Sequence, residues 1–271
     1  MGLSNIFNPE NGFFTFMGKA FDILVLNLVW ILLYLPFGAF FYLFATTGYG
    51  LFLVPTVLSL VVFVPSMIAM YYAVVKSIRR SRSYPVKEFF RSFKANFRQG
   101  AVASFIFVFL GFLLFMDFQY SWDLINAGDG KGVILLGVFF VITLFVSGLL
   151  IFLCPVLSRF TMDLKGALKF SFGISVKHFW CTILSFLLWF AIVVLIYLTM
   201  GFVLFFGIAA GTLVGSFMME KVLRRYMEQA IEHQKQAEAN GTEDSTEEKP
   251  EYTESFEDGG ENSKKDEWYL E

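Results

Sequence analysis

The sequence predicts an all-α membrane protein: six transmembrane helices, short cytoplasmic amphipathic helices and both termini cytoplasmic. Three observations carry that prediction. The chain of 271 residues is 56% hydrophobic and 16% charged, against roughly 25% charged in soluble domains. Its charge is segregated, with 17 bases and 8 acids in residues 1–225 and 15 acids and 4 bases in residues 226–271. Its apolar residues fall in stretches of about 20, the length that crosses some 30 Å of hydrocarbon at about 1.5 Å per residue. One soluble core could not bury so much apolar surface.

Residues 1–19 form an N-terminal cytoplasmic segment, residues 20–225 the membrane domain, and residues 226–271 a cytoplasmic helix extension and acidic tail. The N-terminus lacks a basic segment, an apolar core and a small-residue cleavage site in sequence, so the first span is expected to do the targeting. The spans are predicted at Phe21–Phe44, Leu51–Val75, Ala101–Phe118, Val133–Cys154, Phe179–Leu198 and Phe202–Met219. The last two are parted only by Thr199-Met200-Gly201, where Gly201 suits the tight turn of a helical hairpin.

Loop charge sets the orientation. The connection 76–99 carries Lys76, Arg79, Arg80, Arg82, Lys87, Arg91, Lys94 and Arg98 against Glu88 alone. The connection 155–178 carries Arg159, Lys165, Lys169 and Lys177 against Asp163, and Lys221, Arg224 and Arg225 follow the sixth span. The connection 119–132 holds Asp123, Asp129 and Lys131. Basic loops stay in the cytoplasm, which places both termini inside and 119–132 outside.

Two cytoplasmic segments read as amphipathic helices. In 84–98, Val86, Phe89, Phe90, Phe93 and Phe97 recur at helical spacing beside a stripe of Lys87, Arg91, Lys94 and Arg98. Pro85 fits the first turn, where its missing N–H costs nothing, and Glu88 suits the helix dipole. The segment is expected to lie in the inner interface, aromatic face down and cations toward anionic head groups. A partner docking there is the alternative use. After span four, Asp163 is placed to cap a second helix with Leu164, Ala167, Leu168 and Phe172 on one face. The order span, basic helix, span thus occurs twice and hints at a parallel internal repeat.

The spans themselves offer few polar groups. Asn27 is the candidate intramembrane contact, able to bond across helices for about 0.6–2 kcal/mol or to meet a substrate hydroxyl. Pro36, Pro55 and Pro65 can kink their helices or open a site. Gly207, Gly211 and Gly215 form a small-residue seam for close helix packing, either against span five or in a homodimer. Cys154 and Cys181 read as reduced, packed thiols. No metal-ligand spacing, phosphate-binding loop or catalytic triad is apparent, so neither a cofactor nor an enzyme is expected. The basic clusters fit topology and do not indicate nucleic-acid binding.

From Thr242 onward Glu, Ser, Thr, Gly and Asp dominate, a composition that cannot fold alone. Trp268-Tyr269-Leu270 is an apolar cluster at its end. Tail and basic loops share one side, which invites a loose electrostatic association, screened beyond about 8 Å at physiological salt.

The chain resembles the YesL-like family of bacterial integral membrane proteins. The resemblance lies in Phe7-Asn8-Pro9, Asp22, Asn27-Leu28 and Leu35-Pro36. It continues in Ala69-Met70-Tyr71-Tyr72, in Phe89-Phe90-Arg91-Ser92-Phe93-Lys94 with Asn96-Phe97, and in Pro155-Val156-Leu157-Ser158-Arg159-Phe160 followed by Leu164-Lys165 and Lys169. It implies a cytoplasmic-membrane location and an accessory role in ABC-type carbohydrate uptake, with ABC transporter components as partners and no catalytic residues. The stretch from Phe40 to about Val62 and the acidic tail depart from the family pattern. An independent small-molecule transporter or channel is the alternative function.

Overall fold

The computed structural model describes residues 12–79, 84–160, 162–199 and 201–240. Every regular element among them is helical. They are α1 (Gly12–Thr47), α2 (Leu53–Ala73), α3 (Pro85–Asn126), α4 (Lys131–Arg159), α5 (Leu164–Lys177), α6 (Phe179–Leu198) and α7 (Gly207–Asn240). A π-helical turn, Val74–Arg79, extends α2, and short 3-10 turns precede α2 and α7. The expected acidic tail and the Phe7-Asn8-Pro9 block lie outside the described residues.

Five helical stretches are long and apolar enough to cross a membrane: Phe16–Thr47, Gly50–Ile78, Pro85–Asn126, Lys131–Arg159 and Phe179–Leu198. The chain is a multi-pass helical membrane protein. The sixth expected span is divided. Its first residues form a 3-10 turn, Phe202–Phe205, and α7 starts only at Gly207. Thirteen uncharged residues then run to Met219 before Glu220, about 20 Å of helix against roughly 30 Å of hydrocarbon. The turn before this break is made by Gly201, whose φ of 88° is left-handed and open to glycine without strain.

Burial concentrates at the end of the bundle that carries the basic residues. There the second half of α2 is central. Ile68, Tyr71 and Val75 pack with Phe152, Leu153 and Val156 of α4, Ile174 of α5 and Leu223 of α7. Its other side, Ala69, Met70 and Ala73, packs with Leu26 of α1, Phe89 of α3 and Ile208 of α7. At the opposite end large apolar side chains such as Phe109, Phe112, Phe140 and Phe190 face outward, as lipid-facing residues do.

Proline and glycine explain the most extensive pairing, that of α2 with α3. Pro65 lies inside α2, where its ring disturbs the ladder of backbone bonds. The neighbouring Val64 N–H donates instead to Ser104 Oγ of α3 at 2.9 Å. Gly100 of α3 lets the backbones close on this point, since a Cβ there would stand 2.8 Å from Pro65 Cγ and 3.0 Å from its Cα. Ser66 Oγ bonds the Phe63 carbonyl at 2.7 Å and Tyr34 Oη of α1 at 2.9 Å. The Val64 N–H beside the proline and the Ser66 hydroxyl are thus satisfied within the protein, as polar groups at such a break in lipid must be. Pro36 is carried inside α1, and Pro55 sits in the first turn of α2, where no intrahelical bond is lost.

The amphipathic segment 84–98 departs from expectation. It is no separate interfacial helix but the first four turns of α3, which runs unbroken for 42 residues. Nothing between Phe97 and Ala101 terminates a helix, and a lone glycine costs only about 1 kcal/mol. One buried stripe, Pro85, Glu88, Phe89, Ser92, Gly100, Ala103 and Phe107, continues through both halves. Nor do all the aromatics face lipid: Phe89 is fully buried and stacked on Phe93 at 6.2 Å between ring centroids. The second basic helix, α5, is separate from α6, divided at His178. Its inner face carries Ala167, Ser171 and Ile174, while Phe172 points outward. The two copies of the suspected repeat therefore differ in construction.

Candidate functional site

At the basic end, four helices bring two ion pairs onto adjacent tyrosines of α2. Arg159 is the last residue of α4, where a cation complements the helix dipole. Glu220 enters from α7. Arg159 Nε and Nη2 donate to Glu220 Oε1 at 3.2 and 3.0 Å, and Tyr71 Oη donates to the same oxygen at 3.0 Å. The side chains of Arg159 and Glu220 are 1% and 5% exposed. Each charge would be costly alone at this burial, and the pairing with hydrogen-bonded partners makes both tolerable.

The second pair starts from the π-helical turn. Lys76 Nζ lies 3.2 Å from Glu88 Oε2, donates to Tyr72 Oη at 3.3 Å, and sits 5.5 Å from the Tyr72 ring centroid. Glu88 stands in the first turn of α3, so the helix N-terminus also favours its charge. A π-helical turn changes the phase of the side chains that follow it. Here it ends α2 with Lys76 turned to α3 while Tyr71, one turn earlier, addresses α4 and α7.

A third cluster joins α5 to α7. Tyr226 meets Phe170 edge-on at 5.4 Å, His178 at 6.3 Å between ring centroids, and Lys177 Nζ at 5.5 Å. Burial, then the charges of Lys177 and Arg225, hold the His178 imidazole below its ordinary pKa. Thr182 Oγ1 donates to the Ser175 carbonyl at 2.8 Å across the α5–α6 break, and Gly148 of α4 allows both residues to sit against it.

Asn27 is fully buried in α1. Its Nδ2 donates to the Ile23 carbonyl at 3.2 Å, and its Oδ1 accepts from Ala209 N at 3.3 Å. Ala209 is the third residue of α7, so α1 caps the start of α7 from outside. The glycine seam begins beside this cap and faces α6. A Cβ on Gly211 would strike Ile192, one on Gly207 would meet Val203 at 2.8 Å, and one on Gly215 would meet Leu188 at 3.8 Å.

Lys87, Arg91, Lys94 and Arg98 are not brought onto Asn27, whose amide bonds Ile23 and Ala209. They line the side of α3 opposite its buried stripe, with Lys87, Lys94 and Arg98 exposed and Arg91 half-buried. Phe90 and Phe97, 52% and 41% exposed, run alongside. At about 100° per residue these positions make two adjoining outward stripes, one cationic and one aromatic. Lys165 and Lys169 are exposed on α5.

The polar groups at the centre, Tyr71, Arg159 and Glu220, were not distinguishable as a unit from sequence. Their signal was the rarity of acids: Glu88 and Glu220 are each nearly alone among bases. The arrangement is suited to holding helices in register, because each carboxylate meets donors from other helices. Among the described residues, no group of three or more His, Cys, Asp or Glu could hold a metal ion.

Residues 23–118 match the family model described as a protein of unknown function, DUF624. The match runs from α1 to the apolar half of α3. It includes Asn27, the tyrosine pair, the Lys76–Glu88 pair and the basic stripe, and it leaves out Arg159 and Glu220. No curated protein and no solved structure matches the chain.

Proposed function

We propose that the chain is a YesL-like protein of the bacterial cytoplasmic membrane, a non-catalytic accessory or scaffold for ABC-type carbohydrate uptake. In this reading it has six spans and both termini lie in the cytoplasm, with the apolar start of α7 as the sixth span. Anionic lipids surround its inner face, and ABC transporter components are its partners. The link to sugar uptake rests on the family resemblance.

The observation that carries the docking role is the outward face of α3. At 42 residues this helix measures about 63 Å, twice the hydrocarbon thickness. Its basic half must therefore leave the hydrocarbon, and it does so on a rigid stem clamped by Gly100 and Pro65. Such a stem presents Lys87, Phe90, Lys94, Phe97 and Arg98 to the aqueous side as a preformed surface. Transport through the bundle draws less support. Both ends of the Asn27 amide are engaged inside the protein, and the Pro65 break is closed by Ser104.

The test is cross-linking in cells that express a tagged copy, followed by identification of what co-purifies. Recovery of an ABC permease, its ATPase or a sugar-binding protein, lost in Lys94→Glu/Arg98→Glu, supports the accessory role. Recovery of the chain alone or only with itself refutes it and favours an independent transporter.

A further inference from the structure

We propose that the outward face of α3 is the docking site of the chain's own C-terminal segment, residues 241–271. The inference rests on reading that face as a docking surface and names its resident occupant. The tail covers the cations and aromatics of α3 until a partner displaces it.

Topology brings the two together. Glu220 of α7 lies level with Tyr71 of α2 through their hydrogen bond. Glu88, in the first turn of α3, lies level with Lys76, one turn further along the same strand of helix. From Glu220, α7 continues to Asn240, about 30 Å further, at the end of the bundle where α3 begins. The tail therefore issues on the side to which α3 projects, whichever way the bundle sits in a membrane. Its 31 residues could span up to about 100 Å, so reach sets no limit.

Charge and composition match. Residues 241–271 carry 12 acids and 3 bases and include Trp268-Tyr269-Leu270. The α3 face offers Lys94 and Arg98 beside Phe90 and Phe97, so acids and aromatics both find complements. The exposed Lys165 and Lys169 of α5 have one outward aromatic beside them, Phe172, where α3 has two. A lipid surface covers less of this face. For a helix along the membrane normal, a head-group layer of about 5–8 Å takes in Lys94 and Arg98, about 6 Å apart on the axis, but not Lys87, about 16 Å from Arg98.

The experiment uses the full chain with Phe97→p-benzoylphenylalanine, reconstituted singly in nanodiscs of phosphatidylcholine with phosphatidylglycerol. After irradiation, adducts are mapped by peptide mass spectrometry. The expected adducts join position 97 to residues 241–271 of the same chain. Their yield falls about fivefold or more in Lys94→Glu/Arg98→Glu and on raising salt from about 0.05 M to about 0.5 M. Lys94→Gln/Arg98→Gln gives a smaller loss, and a photoprobe replacing Phe90 repeats the result should position 97 perturb folding. Adducts mainly to phospholipid, adducts elsewhere in the chain, or a tail yield indifferent to charge reversal overturn the proposal. Because no partner is present, the outcome concerns the tail alone, and co-purification independently judges the accessory role.

Discussion

Glu220→Leu removes the acceptor on which three donors converge. Arg159 would then be left 1% exposed with two guanidinium N–H groups facing an apolar side chain. Removing one partner of a buried pair costs about 3–5 kcal/mol, most of it the penalty of the charge left behind. Tyr71→Phe takes away one donor and leaves the pair, so its cost is about 1–2 kcal/mol. Arg159→Met/Glu220→Leu removes both charges and lies within about 1 kcal/mol of the parent or is more stable. The measurement is reversible unfolding of the detergent-solubilised protein by increasing denaturing detergent, run on the four members of the cycle. The expected coupling between Arg159 and Glu220 is at least about 3 kcal/mol. A coupling below about 1 kcal/mol would refute the argument, since exposed pairs have that value.

Four further outcomes follow from the same packing. Gly100→Ala places a Cβ against Pro65 backbone atoms that cannot move aside and costs about 1–3 kcal/mol, read by the same unfolding assay. Gly211→Ala meets the end of the Ile192 side chain, and its loss should be largely recovered by Ile192→Val; failure of that rescue in thermal melts would place the clash elsewhere. Asn27→Leu strips the start of α7 of its acceptor and costs about 1–2 kcal/mol, visible as faster amide exchange at Ala209. The neutral form of His178 is favoured by folding, so its contribution is full above the unfolded value of 6.5 and is lost as pH falls below it. His178→Gln should lessen the fall in melting temperature between about pH 7.5 and about pH 5.5; an unchanged slope would show that His178 is not responsible.

What could be read from sequence was what depends on local chemistry and on length. Apolar runs of about 20 residues select spanning helices because backbone groups in lipid must bond within their own segment. Gly201 marked the α6–α7 turn because only glycine takes its φ without strain. Pro85 marked the start of α3 for a comparable reason. The extent of α3 was misread because hydropathy falls at Arg98 whether a helix ends there or runs on into water. Only the buried stripe from Glu88 to Phe107, matched to α2, distinguishes the two. Phe172 was likewise placed on the packed face by hydrophobicity alone, whereas packing turns it outward and buries Ser171 instead.

Hydropathy and charge thus specify a helical membrane protein with basic connections and an acidic segment after the last helix. Tertiary structure alone decided that Arg159 meets Glu220 across 61 positions, that Asn27 caps α7 across 182, and that the glycine seam faces α6. Helix formation is a property of each segment, whereas these contacts depend on relative rotation and height. Those are set when the Pro65 break, the Gly100 gap and the two ion pairs are satisfied together.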